Sequence, residues 1–75
     1  MATVRVYAVD RPYILSYRDG SAFLLTGEEA QRLLDAYPAT VRGGAAYLKD
    51  EGKIVATLSP ATIGGGPAFR VYRAR

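Results

Sequence analysis

The chain contains no cysteine, histidine, tryptophan or asparagine, and it has a single glutamine and a single methionine, Met1. Without cysteine it can form neither disulfides nor thiolate metal sites, and without histidine a zinc site would need carboxylates alone, which is uncommon. A chain of 75 residues builds a small core, and chains of this size usually gain stability from a disulfide, a metal or a partner. We therefore expect one small domain over residues 1–75 without metal or cofactor, stabilised by close packing or oligomerisation, and favour a homo-oligomer.

Long hydrophobic runs are lacking as well. No apolar stretch approaches the roughly 18–20 residues that a membrane-spanning helix needs, and the segment Met1–Arg5 has no apolar region of the kind found in secretory signals. The composition, 49% hydrophobic and 23% charged, is typical of a globular domain rather than a disordered chain. We expect a cytoplasmic protein with no membrane contact.

The scarcity of asparagine, glutamine and methionine is typical of thermophilic proteins, which avoid these thermolabile residues. Arginine outnumbers lysine eight to two, which a GC-rich coding bias explains equally well. We interpret the composition as that of a thermophilic or GC-rich source. We expect the source to be a thermophile or one of its phages, in which tiny regulators and virion proteins are common.

Strands are predicted where apolar and polar residues alternate, or where β-branched and aromatic residues cluster, between turn residues. Asp19-Gly20 lies between two such stretches and is a strong hairpin signal. The stretch 45–51 also permits a short helix that ends at Gly52, and this alternative stays open. The predicted strands are Thr3–Val9, Tyr13–Arg18, Ser21–Leu25, Thr40–Val41, Ala45–Lys49, Lys53–Leu58 and Ala68–Arg73.

One helix is predicted over Glu28–Tyr37. Thr26 followed by Glu29 forms the pattern of a capping box, in which each side chain binds the other residue's backbone amide. Apolar residues then recur at helical spacing, and Pro38 stops the helix. This is the most strongly specified element of the chain.

These elements predict an α+β fold, a mainly antiparallel sheet of about five strands with the one helix packed on one face. The opposite face is then left to solvent, a nucleic acid or a second copy. The expected core residues are Val4, Val6, Leu15, Phe23, Leu25, Ala30, Leu33, Leu34, Tyr37, Ile54, Ala56, Leu58, Phe69 and Val71.

An internal repeat aligns residues 38–47 with residues 60–69, and six of the ten positions are identical. Each copy has the form Pro-Ala-Thr-Val/Ile-x-Gly-Gly and continues to a small residue and then an aromatic one. One interpretation is a duplicated turn and strand, in which glycine permits a tight backbone. The other is coincidence in a chain rich in alanine and glycine.

Catalytic chemistry is difficult to build from these residues. General bases at neutral pH are usually histidine, and nucleophiles need an adjacent base. Capping or turns already explain four of the seven acids, namely Asp19, Glu28, Glu29 and Asp50. We therefore predict that the protein is not an enzyme; the alternative is a hydrolase that uses Asp10 and needs Mg²⁺ or Mn²⁺.

Glycines at positions 64–66 resemble a phosphate cradle only weakly. A P-loop continues into Lys-Ser/Thr and a helix, whereas Pro67 and a predicted strand follow here. We interpret the segment as a connector whose backbone amides make loop contacts with a phosphate or a partner. The predicted contact residues are Gly64, Gly65 and Gly66.

The strongest functional signal is the interleaving of basic and aromatic residues. Arg5 and Tyr7 share one face of the first strand, and Arg70 and Tyr72 share one face of the last. If both strands lie in one sheet, the four side chains form an exposed face that stacks bases on rings and holds phosphates with guanidinium groups. Residues 52–75 contain four basic residues and no acid. The predicted binding residues are Arg5, Tyr7, Arg70, Tyr72, Arg73 and Arg75.

These features predict a small binding module for single-stranded nucleic acid, or a regulator that binds a nucleic-acid-handling protein. The alternative is a protein–protein interaction module, such as an inhibitor, an adaptor or a virion or assembly component, that uses a sheet edge and the glycine-rich loops. A solvated sheet face without a partner would show the same residues, because arginine and tyrosine are common there. No motif resembles a known family.

Overall fold

The computed structural model describes residues 2–61 and 66–73. This part of the chain contains one helix and seven strands, so the predicted α+β class is confirmed. In chain order the elements are β1 (Ala2–Val6), β2 (Tyr13–Tyr17), β3 (Ala22–Leu25), α1 (Gly27–Ala36), β4 (Ala39–Arg42), β5 (Ala45–Asp50), β6 (Lys53–Pro60) and β7 (Phe69–Arg73).

The strands form two sheets. Five of them make an antiparallel sheet in the order β3-β2-β6-β5-β4, and β1 pairs antiparallel with β7 in a second sheet of two strands. The first and last strands therefore do not extend the larger sheet. β1 instead lies against α1 and β4, which places its buried residues Val4 and Val6 in the common core.

The core lies between the helix and the inner faces of the two sheets, and Tyr13 connects those sheets. Its side chain is 0% exposed, its hydroxyl donates to the carbonyl of Ala68 at 3.0 Å, and its ring centroid lies 5.5 Å from that of Phe69. Buried hydrophobic residues of the described chain are Val4, Val6, Tyr13, Leu15, Ala30, Leu34, Ala46, Leu48, Ala56, Leu58, Ala68 and Phe69.

Four residues expected in the core are more than a third exposed: Phe23, Tyr37, Ile54 and Val71. Phe23 lies on an edge strand of the large sheet, Val71 lies on the outer strand of the small one, and Tyr37 caps the end of the helix. Each of these three positions lies at the edge of a sheet or at the end of the helix, where fewer neighbours are available to cover a side chain.

Ile54 is exposed for another reason, which is a β-bulge. Leu48 pairs with Ala56 and the next residue, Lys49, pairs with Ile54, so Val55 is the extra residue. A bulge reverses the alternation of the strand beyond it. Ile54 therefore shares the outer face with Lys49, whereas simple alternation would place it in the core with Ala56.

The predicted helix is confirmed within one residue at each end. The amide of Glu29 donates to Oγ1 of Thr26 at 3.1 Å, and the amide of Thr26 donates to Oε1 of Glu29 at 3.0 Å. The side chain of the lone glutamine, Gln31, accepts a hydrogen bond from the amide of Val6 at 2.8 Å. This bond fixes the helix to β1. Residues 45–50 form strand β5 and Glu51 lies in the turn after it, so the alternative helix there is wrong.

Where the structure describes both copies of the internal repeat, they agree near the end of each copy. Gly44 and Gly66 have φ of 81° and 80°, a left-handed conformation that favours glycine, and each is followed two residues later by a buried alanine. Their described parts differ in context, because residues 38–47 belong to the β4–β5 hairpin of one sheet, whereas Pro60 ends β6 in that sheet and Phe69 begins β7 in the other. Residues 62–65 lie outside the described part.

No helix within residues 2–61 and 66–73 is long and apolar enough to cross a membrane.

We expect the protein to lose stability above pH 10 through Tyr13. Burial raises the pKa of this phenol above its ordinary value of 10.0 and outweighs the opposing charge of Arg11. Because the folded state holds the proton more tightly than the unfolded state, the stabilisation is complete below about pH 10 and is lost as pH rises through the folded pKa. Urea unfolding from about pH 7 to pH 11 should show a steeper loss for the native protein than for Tyr13→Phe, and equal slopes would contradict the prediction.

Candidate functional site

One face of the two-stranded sheet brings together four of the predicted binding residues. Arg5 lies directly opposite Arg70 in the β1–β7 register. The amide of Tyr7 donates to the carbonyl of Ala68 at 2.8 Å and so extends the ladder by one residue. Since opposite residues of an antiparallel pair point to the same side, Arg5, Tyr7, Arg70 and Tyr72 share one face, and all four are exposed. We call this set the cationic–aromatic face.

Arg70 lies between the two tyrosines of this face. Its Cζ atom is 4.1 Å from the centroid of the Tyr7 ring, which is a cation–π contact. A hydrogen bond to the Tyr72 side chain, followed by the charge interactions with Tyr7 and Tyr72, raises the pKa of the Arg70 guanidinium above its ordinary value. These contacts hold the guanidinium between the two rings, and like any arginine it stays charged in ordinary buffers.

The two guanidinium groups of the face are not neutralised. Like charges directly opposite each other across a strand pair are destabilising, and Arg5 and Arg70 occupy such a pair. Within the described part of the chain, no carboxylate forms an ion pair with either arginine. An anion bound between them would remove this repulsion, so the arrangement favours an anionic ligand.

The structure describes two of the other predicted contact residues, Arg73 and Gly66. Arg73 ends β7 and its backbone pairs with Ala2, whereas Gly64, Gly65 and Arg75 lie outside the described residues. Gly66 is exposed, and its carbonyl accepts a hydrogen bond from Nη1 of Arg11 at 3.3 Å.

Sequence reasoning missed the role of Arg11. Its Nη1 also donates to the carbonyl of Pro67 at 3.1 Å, so this side chain fastens the loop between β1 and β2 to the segment before β7. No local pattern signals this contact, because the partners are 55 and 56 residues apart.

A second basic and aromatic surface lies on the outer face of the large sheet. Arg42, Tyr47 and Lys49 line a shallow depression there with Thr40 and Ile54. Alternation along β4 and β5 could have revealed it, since Thr40 and Arg42 share one face and Tyr47 and Lys49 share the face beside it. It was missed because Ile54 was expected in the core.

Asp10, the residue of the hydrolase alternative, is exposed in the loop after β1. It lines an open depression with Arg11, Glu28 and Glu29 near the start of α1. Over residues 2–61 and 66–73, no group of three or more histidine, cysteine, aspartate or glutamate side chains is placed to hold a metal ion.

Comparison with protein-family models, with curated proteins and with solved structures finds no match to this chain. The chemistry of the cationic–aromatic face is therefore the basis for assigning a function.

Proposed function

We propose that the protein is a small, non-enzymatic binding module for single-stranded nucleic acid and that the cationic–aromatic face is its interface. One observation carries the proposal: two opposed arginines, neither neutralised by a carboxylate of the described residues, lie beside two exposed tyrosines on a regular sheet. Guanidinium groups match phosphate geometry, and tyrosine rings stack on bases of any sequence.

Single strands fit this face better than duplexes. Tyr7 and Tyr72 are 47% and 50% exposed, and a ring can stack on a base only if that base is free of its own helix. Five residue pairs at about 3.4 Å each span roughly 14–17 Å, a platform for a few nucleotides. The net charge of +3 favours encounter with a polyanion of any sequence.

The alternative partner is an acidic protein surface, such as that of a nucleic-acid-handling protein. Tyrosine and arginine are also the preferred anchors of protein interfaces, and both residue types are exposed on the cationic–aromatic face. Salt separates the two, because phosphate contacts weaken steeply as salt rises whereas apolar protein contacts respond little.

We expect Arg70→Ala to weaken binding of a fluorescein-labelled oligonucleotide and to flatten its salt dependence. Each phosphate contact that is lost should lower the slope of log K against log salt by about 0.7 on single strands. Tyr7→Ala and Tyr72→Ala should each cost about 1–3 kcal/mol of binding free energy, while Tyr7→Phe retains the ring and most of the affinity. Fluorescence anisotropy from about 50 mM to about 500 mM salt measures both quantities.

Arg32→Ala is the matched control, because it removes the same charge from an exposed position on α1. It should leave affinity and slope nearly unchanged, since long-range charge is screened within about 10 Å at 0.1 M salt. Both arginine variants should fold as the native protein does, because exposed arginines contribute little to stability. Equal losses in Arg32→Ala and Arg70→Ala would reject the face as the interface, and no binding of the native protein at about 50 mM salt would reject the function.

A further inference from the structure

Strand β3 is one edge of the large sheet. The pattern of its hydrogen bonds to β2 shows which of its backbone groups point away from the sheet. The amide of Tyr17 donates to the carbonyl of Ser21 at 2.9 Å. Hydrogen-bonded and non-hydrogen-bonded pairs alternate along an antiparallel ladder. The backbone N–H and C=O groups of Phe23 and Leu25 therefore point toward β2. The N–H and C=O groups of Ala22 and Leu24 therefore point away from the sheet.

Apart from its short length of four residues, this edge lacks the features that normally protect edge strands. Proteins guard edges with charged residues, proline or bulges, because unpaired backbone groups recruit other strands. β3 has the sequence Ala-Phe-Leu-Leu without charge, proline or bulge. Phe23 is 54% exposed on one face, and Leu24 is 72% exposed on the other. Apolar surface thus flanks the open backbone on both sides.

The edges of the other described strands are guarded. Pro38 precedes β4 and Arg42 ends it, and the strand lies near β1. On β1, the amide of Val6 already donates a hydrogen bond to Oε1 of Gln31. Arg70 lies on β7, where a second copy would bring like charges together. Within residues 2–61 and 66–73, β3 is the edge left open.

We propose that β3 pairs antiparallel with β3 of a second copy about a two-fold axis at Phe23, so that the two five-stranded sheets become one continuous sheet of ten. A two-fold contact uses the same patch on both copies, and an uncharged strand meets no repulsion from its own copy. This proposal names the surface of the homo-oligomer expected from the small core, and it does not depend on nucleic-acid binding.

Only one register between the two β3 strands gives every outward N–H and C=O group of β3 a hydrogen-bond partner. With Ala22 of one copy opposite Leu24 of the other, the two residues exchange hydrogen bonds on both sides of the axis, and all outward groups of β3 are satisfied. A shift that places Ala22 opposite Thr26 fails, because Thr26 already donates to Glu29 and accepts from Ala30. A shift that places Leu24 opposite Gly20 also fails, since Gly20 lies in the hairpin turn and donates to Tyr17.

The selected register explains the exposure of Phe23. Two Phe23 residues then meet at a non-hydrogen-bonded pair, where Cα atoms are about 4.5 Å apart and side chains are closest. Each ring already packs edge-on against Tyr17, with centroids 5.9 Å apart. The dimer therefore gathers four aromatic rings on one face and covers a side chain whose apolar character predicts burial.

Disulfide trapping tests the register, and the absence of cysteine from the chain makes any cross-link unambiguous. Phe23→Cys should form a disulfide-linked dimer under mild oxidation, because Cα atoms about 4.5 Å apart lie within disulfide range. Leu24→Cys should cross-link at least about tenfold more slowly, since the two copies of Leu24 are offset along the strands beyond about 7 Å. Faster linkage through Leu24→Cys would overturn the register.

Sedimentation equilibrium tests the dimer without altering the Phe23 ring. The native protein should dimerise between about 1 µM and about 1 mM, and Leu24→Lys should raise the dissociation constant at least about 100-fold through like-charge repulsion and the lost apolar contact. Ile54→Lys is the control, because it adds the same charge at another exposed apolar position of the large sheet. The proposal would be overturned if the native protein stayed monomeric up to about 1 mM, and β3 would then be open to a strand of another protein. Equal dimerisation of the native protein and Leu24→Lys would also overturn it.

Discussion

Replacing Tyr13 with alanine should lower the free energy of unfolding by about 3–5 kcal/mol, the range for large aromatic residues truncated in a core. The side chain is fully buried and packs on Phe69 of the other sheet. Its removal leaves a cavity where the two sheets meet, which neither sheet can close without moving. Urea unfolding followed by circular dichroism at neutral pH measures the loss.

Tyr13→Phe separates the ring from the hydroxyl. When the phenol hydroxyl is removed, the carbonyl of Ala68 still accepts a hydrogen bond from the amide of Tyr7 at 2.8 Å. The carbonyl therefore keeps one partner. We expect a cost of only about 0.5–1.5 kcal/mol for the lost hydrogen bond. If Tyr13→Phe costs as much as Tyr13→Ala, the hydroxyl rather than the ring joins the sheets, and our account of the core is wrong.

Replacing Gly27 with alanine should destabilise the fold by about 3 kcal/mol, the upper part of the range for overpacking. A Cβ atom at this position would overlap the backbone carbonyl of Val9. Backbone cannot turn aside as a flexible side chain can, so the loop after β1 or the start of α1 must shift. Thermal and urea unfolding of the variant check the size of the effect.

The sign of this change is informative, because helix propensity predicts the opposite. Gly27 is the first residue of α1, and alanine is favoured over glycine in helices by about 1 kcal/mol. Gly44→Ala is the control. Its Cβ would meet open space, so a loss of stability there reflects only the left-handed backbone at φ of 81° and no overlap. Equal or greater stability of Gly27→Ala would show that the loop yields to the methyl group.

Local patterns in the sequence determined most elements and, where no bulge intervenes, the face on which each strand residue lies. The Thr26–Glu29 capping box located the helix start because its hydrogen bonds span three residues. Alternation placed Arg5 and Tyr7 on one side of β1, and Arg70 and Tyr72 on one side of β7, because successive strand residues point to opposite faces. The composition of the cationic–aromatic face was therefore predictable once the two strands were assumed to pair.

The tertiary structure decided which strands pair and which surfaces remain open. β1 joins β7 across nearly the whole chain and forms a separate sheet, and no local window contains both strands. The bulge beside Leu48 moved Ile54 out of the core, and the close approach of Val9 explains why Gly27 is glycine. Burial depends on neighbours that are distant in sequence, so Phe23 reads as a core residue in its own segment and becomes an exposed edge residue only because no strand follows β3 in the sheet.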